Sequence, residues 1–154
     1  MITVHAGCVY IIYIEIPIMN VKLSDIIDAI TMADQYSEYF LDKETSSIEW
    51  VNDMAMTETE QQAVYDRLDA HGFYRLPTQY EIRDYDIMGE FADTLSGAAR
   101  ERLAGALCGR GAFRRFKDTM HHMGIAEQWY AFQEEAYRCK AVEWCEENGI
   151  EYED

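Results

Sequence analysis

Basic residues are scarce in this chain: 13 lysines and arginines stand against 29 aspartates and glutamates, a formal net charge of −16. The average field of such a surface repels nucleic acid and anionic membranes, which argues against non-specific binding of either. Two prolines and nine glycines in 154 residues leave little chain for long linkers. The apolar content of 49% and the aromatic content of 13% predict a packed globular domain.

The motifs of several functional classes are missing. The sequence contains neither GxxxxGK[ST] nor GxGxxG, the glycine-rich fingerprints of nucleotide-binding loops. It contains no HExxH helix motif and no CxxC pair, so no common zinc site is indicated. No Ser/His/Asp or Cys/His arrangement has a local signature. We therefore assign no catalytic residue, no metal site and no cofactor.

The four cysteines also lack the spacing of a disulfide framework. Cys8, Cys108, Cys139 and Cys145 are far apart in the sequence, and we interpret them as reduced thiols of a cytoplasmic protein. Cys108 and Cys139 fall within apolar helical stripes, where a thiol behaves as a small hydrophobic side chain. We expect both to be buried.

Residues 1–18 form an atypical N-terminal extension. The run from Cys8 to Met19 is largely apolar, but it has no preceding Lys or Arg and is too short and β-branched for a membrane-spanning helix. Two hypotheses remain: an extra strand, or an upstream stretch with true initiation at Met19. We favour the second, because a helix start follows directly. No membrane segment is predicted, and residues 19–154 are predicted to form one domain.

Periodicity and capping signals indicate an α+β fold. Aromatic and β-branched runs at 36–41 and 48–51 flank a polar stretch, which is typical of a β-hairpin. Thr57 and Glu60 form a capping box that starts a helix ending at His71, and a short strand follows at 73–76. Further helices are predicted at 25–32, 84–95, 97–108, 112–123 and 126–148. We expect a small antiparallel sheet, the hairpin plus a short strand, packed against a mainly helical C-terminal half.

The scarce basic residues cluster in one place. Between residues 96 and 123 there are six basic and two acidic residues, so this segment is +4 and the rest of the chain is −20. The centre of the cluster is GRGAFRRFKD, residues 109–118. Its cations lie one turn apart and early in a helix, where neighbouring charges and the helix dipole both oppose them. An anionic group must offset this arrangement.

One hypothesis is a binding surface for an anion or a partner. Gly109 and Gly111 can adopt positive φ and expose backbone N–H groups before a helix N-terminus. Phe113, Phe116, Met120 and Met123 follow a core-facing stripe, which leaves the cations on other faces. Arg110, Arg114, Arg115 and Lys117 would then contact a phosphate-bearing ligand or an acidic protein surface.

Three alternatives remain open. The arginines would pair internally with glutamates of neighbouring helices, at positions 134, 135, 143, 146 and 147. A metal-dependent phosphoester hydrolase or nuclease-like enzyme would need Asp84, Asp86 or Asp118 to converge beside the arginines. A structural homodimer subunit would pair its basic helix with the acidic C-terminal end of a second copy, and its association would weaken with salt.

The segments LSDIIDAI (residues 23–30), RLPTQYEIRDYDIM (75–88), GRGAFRRFKD (109–118) and the stretch from Trp129 to Gly149 together resemble uncharacterised protein family 0158, a bacterial family. The resemblance covers about residues 21–152 and leaves residues 1–18 outside. It implies a small bacterial cytoplasmic protein and no established activity, so no catalytic residue is carried over.

Overall fold

The structure is a computed structural model that describes residues 20–154. The hypotheses about residues 1–18 and about Cys8 lie outside these residues. Within them the strands are β1 (Asn20–Lys22), β2 (Ser37–Asp42), β3 (Ile48–Asn52), β4 (Phe73–Arg75) and β5 (Glu151–Glu153). The helices are α1 (Leu23–Met32), α2 (Glu58–His71), α3 (Gln79–Ile82), α4 (Asp84–Thr94), α5 (Gly97–Ala106), α6 (Ala112–His122) and α7 (Ala126–Asn148).

The predicted sheet is confirmed as a three-stranded antiparallel sheet in the order β3-β2-β4. The hairpin register pairs Tyr39 with Trp50, and β4 adds Tyr74 opposite Leu41. Successive side chains point to opposite faces. One face therefore places Phe40 and Val51 against α2, whereas the other places Leu41 in the larger core with α1 and the C-terminal helices.

The helical half is built around three aromatic rings from three helices. Phe116 of α6 lies 4.9 Å from Trp129 of α7, and Phe91 of α4 lies 5.4 Å from Trp129, measured between ring centroids. All three side chains are buried. Edge-to-face contacts of this kind add about 0.5–1.5 kcal/mol per pair to the free energy of burial. They fix α6 against α4 and α7, and so determine which side of α6 faces solvent.

Local signals placed most helix ends correctly. The Thr57–Glu60 capping box is present, and α2 ends at Gly72. The helix predicted over residues 25–32 begins two residues earlier, at Leu23, with Lys22 as its N-cap. The stretch from Tyr80 to Arg83 has the character of a connection in the sequence, but residues Gln79–Ile82 form the short helix α3, because Thr78 and Glu81 provide a second capping box.

The C-terminal tail contains a strand that the sequence did not indicate. β5 pairs in parallel with β1, in a register that joins Asn20 to Glu151 and Lys22 to Glu153. Arg138 of α7 donates two hydrogen bonds, of 2.6 and 3.0 Å, to the carboxylate of Asp154. A three-residue strand rich in glutamate has no strand signature of its own, since its pairing depends on a distant segment.

Among the described helices, none is both long and apolar enough to cross a bilayer.

A buried carboxylate ties α2 to the hairpin. Asp42 is fully buried, and its Oδ1 accepts hydrogen bonds from the backbone N–H groups of Glu44 (2.8 Å) and Thr45 (3.0 Å). Its Oδ2 lies 2.7 Å from Nδ1 of His71, whose Nε2 is 3.3 Å from Glu44. The hydrogen bond to Asp42 raises the pKa of His71. Burial alone would raise the pKa of Asp42, but its hydrogen bonds hold that pKa below the ordinary value.

We expect the contribution of His71 to stability to depend on pH. Because folding raises its pKa, the ion pair with Asp42 stabilises fully below the unfolded-state value of about 6.5 and weakens as the pH rises through the folded value. At acid pH the limit is set by Asp42, whose pKa is depressed in the folded protein. The stabilisation by the pair is fully present above about pH 3.9 and is lost as the pH falls through the depressed pKa of Asp42. Urea unfolding of wild type and His71→Gln should differ most between these limits. A difference that grows towards alkaline pH would contradict this expectation.

Candidate functional site

The turn between α5 and α6 positions the basic segment. Gly109 has φ 76° and Gly111 has φ 72°, which confirms the predicted positive φ at both glycines. Gly111 is the N-cap residue, directly before the first residue of α6. A Cβ atom at Gly111 would lie 3.3 Å from Nη1 of Arg115. Glycine is therefore favoured there both by backbone conformation and by the close approach of this guanidinium.

Arg115 holds this turn together. Its Nε donates to the carbonyl oxygen of Ala106 at 3.2 Å, and its terminal nitrogens donate to the carbonyls of Cys108, Gly109 and Arg110. The last carbonyls of a helix have no partner inside it and carry the negative end of the helix dipole. A cation at the end of α5 offsets that charge. Arg115 thus has an internal partner, made of backbone carbonyls rather than the expected carboxylates.

Arg110, Arg114 and Lys117 are exposed, as Arg115 is, but they extend into solvent without its backbone contacts. The side chain of Arg114 is 90% exposed, and its nearest carboxylate is Asp118 of the same helix, 3.8 Å away. Among residues 20–154, no acidic side chain lies within 4 Å of the charged groups of Arg110 or Lys117. Within this range, internal pairing with the glutamates of neighbouring helices is therefore wrong for all three. An exposed ion pair at 3.8 Å contributes little to stability.

The core stripe of α6 is shorter than predicted. Phe116 and Met120 are buried as expected, but Phe113 is 49% exposed. Its ring lies in the first turn of α6, where the main neighbour is the ring of Tyr85 of α4, at 6.5 Å between centroids. Tyr85 is itself exposed, and its hydroxyl donates to the carbonyl of Leu107 at 2.5 Å. The expectation that Phe113 anchors α6 in the core is wrong, because that turn extends beyond the three-ring cluster.

The exposed cations and rings together form what we call the basic surface: Arg110, Phe113, Arg114 and Lys117 of the α6 segment, with Tyr85 of α4. Beside it lies a cleft of about 490 Å³. Its wall includes Tyr80, Arg83, Asp84 and Asp86. Sequence reasoning did not select Tyr80 and Tyr85. The signal was available, since Tyr85 lies off the apolar face of α4 formed by Ile87, Met88 and Phe91, where an aromatic residue is expected to be exposed.

The carboxylates of the hydrolase hypothesis have separate partners. Asp84 accepts a 2.5 Å hydrogen bond from the hydroxyl of Tyr137, whose pKa is raised by burial and by this carboxylate. Asp86 pairs with Arg83 at 2.8 Å, and Asp118 pairs with Arg114. In the part of the chain that the structure describes, no group of three or more His, Cys, Asp or Glu side chains could hold a metal ion.

Two of the cysteines differ from expectation. Cys108 and Cys139 are exposed, and only Cys145 of the three described thiols is buried. Cys108 lies beyond the last residue of α5, in the turn. Cys139 lines a groove between α4 and α7. The predicted burial of both is wrong. The apolar stripe of α5 ends before Cys108, and Cys139 lies on a face of α7 that is not covered.

The model of an uncharacterised protein family matches residues 17–153, nearly the whole chain. The chain belongs to UPF0158. The resemblance stated on the sequence motifs is thereby confirmed. Neither a curated protein nor a solved structure matches the chain significantly. UPF0158 membership brings no activity, so function has to be argued from the surface of α6.

We expect Arg115→Gln to destabilise the protein, because several carbonyl oxygens at the end of α5 would lose a charged donor. The loss in free energy of unfolding should be about 1–2 kcal/mol. Arg114→Gln is the matched control, since it changes the same residue type on the next position of α6. It should stay within about 0.5 kcal/mol of wild type. Urea denaturation of the two variants measures both values, and a larger loss for Arg114→Gln would contradict the assignment.

Proposed function

We propose that this UPF0158 protein is a non-enzymatic interaction module whose basic surface contacts an anionic partner. The observation that carries the proposal is the exposure of Arg114 and Lys117, on a helix fixed by the aromatic core, together with that of Arg110 in the turn before it. An interior role requires partners, and within residues 20–154 the one acidic side chain near these three cations is Asp118, 3.8 Å from Arg114. Cations one turn apart that remain exposed are explained by a ligand that supplies the missing negative charge.

The exposed rings favour an acidic protein segment as the partner. Phe113 and Tyr85 place apolar area beside the cations, and aromatic residues with arginine are the side chains enriched at the energetic centres of protein interfaces. The net charge of −16 repels a long nucleic acid more strongly than a short acidic segment, because the repulsion grows with the charge that the partner carries. An acidic peptide with one apolar side chain satisfies both the cations and the rings.

The predicted homodimer is one way of supplying acidic residues, and it stays a prediction. The glutamates at 143, 146, 147, 151 and 153 are all exposed. A salt-sensitive dimer detected by sedimentation, lost in the variant described next, would identify the partner as a second copy.

The test is a binding titration with three fluorescent anionic probes: a glutamate-rich ten-residue peptide with a central leucine, a ten-nucleotide single strand of DNA, and labelled pyrophosphate. We expect the peptide to bind most tightly. Its affinity should fall with added salt, since the contacts are exposed charges. Arg114→Gln with Lys117→Gln should weaken binding about ten-fold or more, as expected for two charge-assisted contacts.

The matched control is Lys22→Gln with Arg67→Gln, which changes the net charge equally at exposed residues of β1 and α2. It should bind the peptide as wild type does. Equal losses in both double variants would show non-specific attraction, and no binding of any probe would contradict the proposal. Tighter binding of the single-stranded DNA would support the basic surface as the binding site, but the partner would then be a nucleic acid rather than a protein.

A further inference from the structure

A groove between α1 and the hairpin is lined mainly by apolar side chains. One side of the groove is a single face of α1, and the other is the sheet face that carries Tyr39 and Trp50. Its volume is about 410 Å³. The lining residues are Asp25, Asp28, Ala29, Met32, Tyr39, Ile48 and Trp50.

The apolar part of this groove is open to solvent. Tyr39 and Trp50 are direct partners across the hairpin, and Trp50 is 45% exposed. Met32 is 67% exposed, whereas α1 buries Leu23, Ile26 and Ile30 on its opposite side. A tryptophan and a methionine flanking a recessed alanine form a surface with the composition of a binding site rather than of a solvated face.

Two carboxylates complete the groove. Asp25 and Asp28 lie one turn apart on the same face of α1 and so repel each other. Throughout the described residues, no cationic side chain lies within 4 Å of either carboxylate. Seven residues separate Asp25 from Met32, about 10 Å along the helix axis. The groove therefore has an acidic end and an apolar end.

We propose that this groove binds a lysine or arginine side chain from a basic peptide segment of a partner protein. The aliphatic stem of such a side chain covers apolar surface while its charged head stays polar. In the groove the stem lies against Met32 and Ile48, and the head reaches Asp25 and Asp28. The faces of Trp50 and Tyr39 add cation–π attraction. The net charge of −16 favours the encounter with a basic segment.

Trp50 provides a direct readout. Trp129 and Trp144 are buried, so the indole N–H resonance of Trp50 is the one expected to move in a proton–nitrogen correlation spectrum, with its assignment fixed by Trp50→Phe. The probes are a Gly/Ser peptide with a central lysine, its arginine counterpart, and the same peptide with acetyl-lysine. Acetylation keeps the stem and removes the charge. We expect the lysine and arginine peptides to shift the Trp50 resonance, with binding about five- to ten-fold tighter than that of the acetyl-lysine peptide.

The variant Asp25→Asn with Asp28→Asn should weaken binding of the lysine peptide by a similar factor. The matched control is Asp69→Asn with Glu134→Gln, which alters the net charge equally at exposed residues of α2 and α7 and should leave the affinity unchanged. Dispersed spectra show that each variant is folded. Equal affinity for the acetyl-lysine peptide, equal weakening in the control, or an unmoved Trp50 resonance would each overturn the proposal.

Discussion

Phe116 of α6 packs against Trp129 of α7 at 4.9 Å, and both rings contact Phe91 of α4. This contact determines the direction in which the rest of α6 points. A helix with one narrow apolar stripe has little rotational freedom once that stripe is buried, so the residues on its other faces must meet solvent. The basic surface is thus a consequence of the aromatic core. The contacts that fix α6 are made by the buried rings. Arg114 and Lys117 take no part in them.

The turn before α6 adds a second constraint. Gly109 and Gly111 reverse the chain, and Arg115 draws the carbonyl oxygens of the turn around its guanidinium. The two adjacent arginines therefore have different surroundings, since Arg115 contacts the carbonyl oxygens of the turn whereas Arg114 extends into solvent. Charge clusters of this kind are often interpreted as one unit. Here one member is structural, and a variant that removes the whole cluster would confuse lost binding with lost stability.

The sequence predicted those features whose causes are local. The Thr57–Glu60 capping box, the hairpin and the positive φ of Gly109 and Gly111 each depend on a few neighbouring residues. The burial predicted for Phe113 is wrong because the first turn of α6 lies beside the start of α4, outside the three-ring cluster. Arg115 was assigned to the binding site because its acceptors are backbone atoms, which no side-chain pattern reveals. β5 was missed because it pairs with β1, more than 120 residues away.

The molecule carries two surfaces of opposite chemistry. The basic surface combines arginines with exposed rings, whereas the groove beside α1 combines carboxylates with Trp50 and Met32. Both place charged groups next to exposed apolar area, a combination found on surfaces that bind partners. An interaction module with two such surfaces can bring an acidic segment and a basic segment together on one small domain.

The central claim is that Arg110 and Arg114 are free while Arg115 is engaged. Modification of arginine by phenylglyoxal, followed over time by peptide mass spectrometry, measures this directly in the wild-type protein. Arg110 and Arg114 should react at the rate of exposed arginines. Arg115 should react at least about ten-fold more slowly, since its charged hydrogen bonds oppose release of the guanidinium by about 1.5 kcal/mol or more. In urea the three rates should become equal. Equal rates for Arg114 and Arg115 in the folded protein would contradict the account.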